Sequence, residues 1–475
     1  MSRSTAVRIA ATLCAILVAA ACGQKPNVAD QASAAGLIGA SGGVLDAEGN
    51  LIDPETGEII ATAEDLGTTD STSTADDSTT PSGTNDSDGP DDPEAPPPTS
   101  GDTTGVSATV IKIGAHAPIT GAAPVPSDSA NKGAAIYWRW LERNGVKIHG
   151  RSVDVVLRND NYNPSQAVSV CRQMVEEDEV FLLQGAAGTD QIQACARYAA
   201  SVGVPYLSAG VTEVGLTGLP NYFAVSMTYP DQQPLIADFL KSDLGAANEK
   251  NAIVWFNTAS FKDGHDAFIK AMDDAGLSVD YDRAVPKTAG ASEAQAIATE
   301  LNQRGIDNVN LLLAPVFWLQ MLNASGAQAY HPQWVGAGIQ FTFDAVATAG
   351  CRSGSLNGAK MFSPFPAWVD SNKYDPEFRQ AVRAIYPEEN DGDDFMWLGW
   401  SSAKALHEML LKAGKDLTRE KFMYALERGD FFNGIGPHLS FTPEDHFGAG
   451  EVHVSEAKCS QDNRWHTIHD WVNDF

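Results

Sequence analysis

From about residue 107 onward, short apolar runs alternate with amphipathic stretches, and that alternation constrains the fold more than any other feature. TVIKIGAHAP (109–118), SVDVVLRND (152–160), VFLLQGA (180–186) and VPYLSAG (204–210) read as strands. Residues 131–144, 164–178 and 190–202 read as the helices between them. NAIVWFN (251–257), a helix over 264–276 and VNLLLAP (309–315) continue the pattern. Strands alternating with helices of this length imply parallel sheets covered on both faces. Right-handed crossovers then predict a doubly wound α/β fold, which binds ligands outside the carboxyl ends of its strands.

The first residues carry an export signal. Arg3 and Arg8 precede an apolar stretch over 9–21, which closes on Ala19-Ala20-Ala21 just before Cys22. Thirteen residues fall short of the roughly 20 needed to span a bilayer as a helix. Residues 1–21 are therefore expected to be a cleaved leader. A cysteine directly after small residues resembles the bacterial lipobox, with Ala19 where that family usually has leucine. The resemblance implies that Cys22 becomes the first mature residue, is acylated, and anchors the chain to the outer face of the cell membrane. Two or more acyl chains hold a protein there stably. Ordinary cleavage beside an incidental cysteine is the competing account.

No lysine or arginine occurs from Pro26 to Ile111, and residues 67–105 are almost wholly Thr, Ser, Asp, Gly and Pro. Such a segment buries too little apolar surface to offset its ordering entropy. Residues 22–107 thus read as an acidic tether with a span of about 50 Å. Within it, LDAEGNLIDPETGEII (45–60) reads as solvated turns, with a calcium loop as the weaker reading. The formal charge is −29. Net −14 falls on residues 1–105 and −15 on the rest, which argues against nucleic acid or an anionic membrane surface as partner.

Beyond Cys14 in the leader and Cys22, the cysteines are Cys171, Cys195, Cys351 and Cys459. An even remainder in an oxidising compartment favours two disulfides, and none of the four lies in a CxxC metal or redox spacing. Catalytic motifs fail on context. Gly39-Ala40-Ser41-Gly42-Gly43 lies in the tether, without the strand and helix a nucleophile elbow needs. Gly336-Ala337-Gly338 has Phe341 where a dinucleotide fingerprint needs its third glycine, and His407-Glu408 lacks the second histidine of a zinc helix. Five of the ten histidines fall between His438 and His469, a distribution better explained by a solvated β-rich region than by a metal. No enzyme, cofactor or metal site is expected.

The loops after two successive strands are more informative. Gly185-Ala186-Ala187-Gly188-Thr189-Asp190 leads into a helix, with Thr189 at or next to its N-cap, where free N–H groups suit an anion. Ser208-Ala209-Gly210-Val211-Thr212-Glu213 again joins small residues to a hydroxyl. Either loop alone reads as an ordinary capped turn, but two on adjacent strands face one crevice.

These segments look like the type I periplasmic binding proteins, in the branch serving branched-chain amino acid and amide transporters. IKIGAHAPITG (111–121), residues 133–180 with their Asn-Gly-Val-Lys turn, and VPYLSAGVTEVGLT (204–217) carry the resemblance, together with SFKDGHDAF (260–268) and GPHLSFTPEDHF (436–447). The family implies two doubly wound lobes joined by a three-segment hinge. Lobe 1 maps to 108–227 plus 361–436, and lobe 2 to 228–360 plus 437–475. On that map Cys171 pairs with Cys195 and Cys351 with Cys459, each within one lobe. The resemblance gives Thr189, beside Gly188, and Thr212 the ligand's carboxylate, and gives the Gly210 carbonyl its ammonium. Phe261 stands where the family has tyrosine. The acid that pairs with the ammonium should follow Gly336, where Gln340 and its neighbours offer none. A buried ammonium without a carboxylate partner is costly, so a small acid or amide with an apolar or aromatic portion fits better. Asp190, Glu213 and Asp263 are the candidate substitute acids. The expected function is a monomeric solute-binding lipoprotein that delivers its ligand to an ABC transporter permease. The alternative is a sensor component signalling to a membrane partner.

Overall fold

A computed structural model describes residues 98–120, 127–185, 187–338 and 342–475, with the short strands Val44–Leu45, Leu51–Ile52 and Ile59–Ala61. Those three strands pair antiparallel in one small sheet, within a stretch the sequence presents as tether. They belong to a unit distinct from the one spanning Pro93–Phe475. Cys22, the leader and Gln340 lie outside the described residues.

The larger unit holds two sheets. In the first, β1 (Val110–Ala117), β2 (Ser152–Asn159), β3 (Leu182–Gly185), β4 (Tyr206–Ser208) and β5 (Tyr222–Ala224) run in the order β2-β1-β3-β4-β5. Every pair is parallel. Helices α1 (Ser127–Arg143), α2 (Pro164–Glu176) and α3 (Thr189–Ser201) make the crossovers. α2 starts where expected because Asn163 accepts the Gln166 N–H and Pro164 fills the first turn. The register sets Ala117 opposite Asn159, His116 opposite Gly185, and Gly185 opposite Ser208. The loops that follow these strands therefore share one edge.

The second sheet begins after α4 (Tyr229–Ser242) with β6 (Asn251–Phe256), α5 (Ala259–Ala275), β7 (Tyr281–Val285) and α6 (Ala291–Arg304). It continues through β8 (Asn308–Leu312), α7 (Pro315–Ala327), β9 (Gln333–Ala337), α8 (Asp344–Cys351) and β10 (Lys360–Ser363). Every residue of β6 and β8 is buried, as expected of strands covered on both faces. The chain then returns to the first lobe as α9 (Pro376–Ile385), α10 (Asp394–Ala413) and α11 (Arg419–Leu426), followed by the short hairpin β11 (Asp430–Phe431) and β12 (Leu439–Ser440). Finally β13 (Val452–Lys458) and β14 (Arg464–Val472) add antiparallel to the second sheet, in the order β7-β6-β8-β9-β10-β13-β14. Among the described residues, no helix is long and apolar enough to cross a membrane.

Three boundaries differ from the sequence reading. β10 belongs to the second sheet, so the chain leaves that lobe after Ser363 rather than at 360. Phe431, Ile435, Leu439, Phe441 and Ala449 pack in the first lobe's core with Trp400 and Phe422, so the last passage follows Ala449 rather than 436. The binding unit also starts earlier than 107. Buried Arg419 donates to the carbonyls of Phe181 (3.0 Å) and Val180 (2.8 Å) and pairs with Asp102, pinning the end of the tether to the lobe. The pairs Cys171–Cys195 and Cys351–Cys459 are both formed, each within one lobe as expected.

Candidate functional site

The first wall of the site is the loop edge of the first sheet. Gly188 has φ 90° and ψ 106°, a conformation open to glycine, and it launches α3 with Thr189 as the first helical residue, 5 % exposed. A Cβ at Gly210 would sit 2.0 Å from the Ser226 carbonyl oxygen, so only glycine lets this strand end lie against the first passage between lobes. The Gly210 N–H donates to the Ser226 hydroxyl at 2.9 Å. Thr212 is fully buried. Its hydroxyl donates to the carboxylate of Asp263, on the other lobe, and the Glu213 N–H reaches the same oxygen at 3.3 Å.

The second wall rises from α5 and the end of β7. Phe261 is buried, stacked on Tyr229 with centroids 5.6 Å apart and planes 13° apart, and meets Phe256 edge-on at 6.2 Å. Burial holds the Asp263 carboxyl above the usual carboxylate range, and hydrogen bonds from Thr212, Gly264, Glu213 and Val214 pull it partly back. Lys287, just past β7, pairs with Asp190 of α3. Its ammonium lies 5.7 Å from the ring centre of Tyr162 and 5.9 Å from that of Phe261. Of the three substitute acids, Asp190 and Asp263 thus bridge the lobes, while Glu213 is exposed.

Tyr162 stands on a constrained turn. Asn161 and Tyr162 have φ of 53° and 56°, a region unfavourable for side-chain-bearing residues. The Asp160 carboxylate holds it there, accepting the Tyr162 N–H at 2.9 Å. Burial pushes the Tyr162 hydroxyl up to about 12, so it stays neutral. Asp160 also accepts from His116 Nδ1 at 2.8 Å, and His116 Nε2 meets the Tyr206 hydroxyl at 2.7 Å. All three side chains are fully buried beneath the loop edge. Sequence reading missed this floor and missed Lys287. The signal for the floor was a histidine inside an otherwise apolar strand. Lys287 had none, because the strand before it went unrecognised.

A second meeting of the lobes lies at the starts of α8 and α10. The Asp344 N–H donates to Asp394 Oδ2 at 2.7 Å, and the rings of Phe343 and Phe395 stack at 3.8 Å. A shallow recess opens beside them, lined by Phe343, Phe365, Trp368, Asp394 and Trp397 among others. Burial raises the Asp394 carboxyl to about 6, and the neighbouring Asp344 and Asp393 charges add to the effect. The folded chain thus binds that proton more tightly than the unfolded one. The stabilisation is complete below about pH 4 and is lost as pH rises through about 6. The loss amounts to at most about 3 kcal/mol. Asp394→Asn should remove it, so thermal melts of wild type and variant between pH 4 and 7 should diverge; parallel curves would exclude the effect.

The remaining candidates scatter. His438, His446, His453, His466 and His469 each face a different carboxylate, those of Glu451, Glu427, Asp470, Asp462 and Asp243. His407 Nδ1 meets the Tyr137 hydroxyl at 2.8 Å within the core of the first lobe. Among the described residues, His116, Cys171 and Cys195 bring ligand-type atoms within 4.8 Å of one another, but the cysteines are joined in a disulfide.

The family model described as periplasmic binding protein matches residues 110–463. A search of curated proteins returns no match. Several solved structures share the fold. A fatty acid ABC transporter substrate-binding protein from Thermomonospora curvata is 18 % identical, with TM-score 0.67 over 78 % of this chain and 95 % of that one. A branched chain amino acid ABC transporter structure from Thermus thermophilus with bound valine is 15 % identical, with TM-score 0.66 over 78 % and 98 %. A solute binding protein from R. palustris in complex with benzoate is 18 % identical, with TM-score 0.62 over 77 % and 98 %.

Proposed function

The chain belongs to the family of periplasmic binding proteins, and from that premise we propose that it is an extracytoplasmic solute-binding lipoprotein that closes on a small organic ligand and hands it to an ABC importer. The observation that carries the reading is the meeting of two strand-end surfaces, with Thr212–Asp263 and Asp190–Lys287 reaching across. A ligand that touches both surfaces shifts the open–closed balance by its greater affinity for the closed form. In this reading Thr189, Gly188, Gly210 and Thr212 form one jaw of the clamp, and Phe261 belongs to the other. Fatty acid, valine and benzoate, named for the structural relatives, are all small organic carboxylates and support a cargo of that kind. The ligand is bound and released without chemistry. In this reading Cys22 carries the lipid, and the acidic segment after it is a leash that keeps a monomeric trap near its permease.

A thermal-shift screen of the purified protein tests this directly. Amino acids, amides, aromatic acids and small dicarboxylates should include at least one compound that raises the melting point, by mass action on the folded closed form. X-ray scattering should show a smaller radius of gyration with the same compound. A screen in which nothing stabilises or compacts the protein would remove the solute-binding reading.

A further inference from the structure

We infer that Lys287 is the anchor for the ligand's anionic group, so that the cleft selects small organic acids with an aromatic or branched apolar portion over their uncharged amides and over amino acids. The inference rests on the solute-binding reading above and narrows it to one side chain and one ligand class.

Lys287 reaches from the second lobe to the first. Its ammonium lies between the Tyr162 ring of one lobe and the Phe261 ring of the other, at 5.7 and 5.9 Å, and its side chain is only 24 % exposed. Ring faces attract a cation but hydrate it poorly, so an ammonium held there needs an anion. Among the described residues its ion pair is with Asp190. The two halves of that pair are not equivalent. Asp190 is the second residue of α3, where the helix dipole and free N–H groups favour a carboxylate, and at 34 % exposure water can reach it. It can release Lys287 at modest cost. Among the described residues, Lys287 has no second ion-pair partner between the rings. The Asp190 carboxylate therefore holds the place beside Lys287 that a ligand anion would take.

Thr212 points the same way. The family resemblance gives its hydroxyl to the ligand's carboxylate, yet here it donates to Asp263, which also takes the Glu213 N–H. A second carboxylate at that place would meet the charge of Asp263 at short range. Lys287 is the position nearby where a carboxylate gains charge complementarity, with two rings beside it for an apolar body. A ligand ammonium entering with the carboxylate would be repelled by Lys287, and Asp263 is already engaged by its own hydrogen bonds.

Calorimetric titration of the purified full-length chain with benzoate, benzamide, isovalerate and valine tests the assignment. Wild type should bind benzoate roughly tenfold or more tighter than benzamide, the scale of one charge-assisted hydrogen bond. Isovalerate should bind more tightly than valine. Lys287→Met keeps the stem and should erase the acid-over-amide preference; Lys287→Arg should retain it. Equal affinity for benzoate and benzamide, valine tighter than isovalerate, or an unaltered preference in Lys287→Met would each overturn the inference. If none of the four binds while the wider screen finds other ligands, the inference falls and the solute-binding reading stands. If that screen is also empty, the reading itself fails.

Discussion

Replacing Asp160 with alanine is expected to lower the stability of the binding unit by about 3–5 kcal/mol, the cost of breaking a buried ionisable pair by removing one partner. Asp160 and His116 are both fully buried, and their hydrogen bond is 2.8 Å long. Without the carboxylate, the His116 Nδ1 group loses its partner where water cannot replace it. The Tyr162 N–H loses its acceptor too, on a turn that already holds two residues at positive φ. Asp160→Asn keeps an acceptor of the same shape and should cost clearly less, about 1–2 kcal/mol. Urea unfolding of the three proteins gives the comparison directly. An alanine variant within 1 kcal/mol of wild type, on the ~1 kcal/mol scale of one ordinary hydrogen bond, would show that the network stabilises little. The same variant should weaken ligand binding, because Asp160 links the core of the first lobe to the ring that faces Lys287.

Removing the Cys351–Cys459 bond should cost about 2–5 kcal/mol. The bond joins residues separated by 108 positions, so in the unfolded chain it closes a long loop and removes much of that chain's entropy. Both cysteines are only partly buried, so paired serine and paired alanine replacements should melt alike. The Cys171–Cys195 bond spans 24 positions, and both residues are fully buried. Its loop-closure contribution is smaller by roughly 1 kcal/mol. There serine should be worse than alanine, because a buried hydroxyl without a partner adds its own desolvation penalty. Melting temperatures of the four double variants separate the two effects. Serine and alanine behaving alike at 171 and 195 would show that the apolar surroundings of that bond contribute nothing.

Much of the architecture could be read from local pattern. The strand expected over 109–118 is Val110–Ala117, and the helix expected over 164–178 is Pro164–Glu176. These segments are long and strongly periodic, and one is marked by an Asn-Pro start. Among the strands that went unread, two were short or at an edge. Tyr222–Ala224 has three residues, and Tyr281–Val285 alternates exposed and buried positions at the edge of its sheet. Such strands owe their existence to neighbours already in place, so nothing local announces them. The small sheet formed by Val44–Leu45, Leu51–Ile52 and Ile59–Ala61 escaped notice for the same reason.

The site divides along the same line. Gly188, Thr189, Gly210 and Thr212 could be read as candidates because a loop that lets backbone come close must be built of small residues and hydroxyls, wherever its partners lie. The fate of the acids was not visible. Asp190, Glu213 and Asp263 were equivalent in the sequence; in the fold the first meets Lys287, the second faces solvent and the third takes the Thr212 hydroxyl. By itself the sequence determined the parallel α/β class, the even set of four cysteines and the loops that face the crevice, because period, composition and turn chemistry act over a few residues. The tertiary structure alone decided which charges meet across the cleft and which histidine is locked beneath it. Those pairings join residues from about 40 to 100 positions apart, and only the stacking order of the strands sets the distance between them.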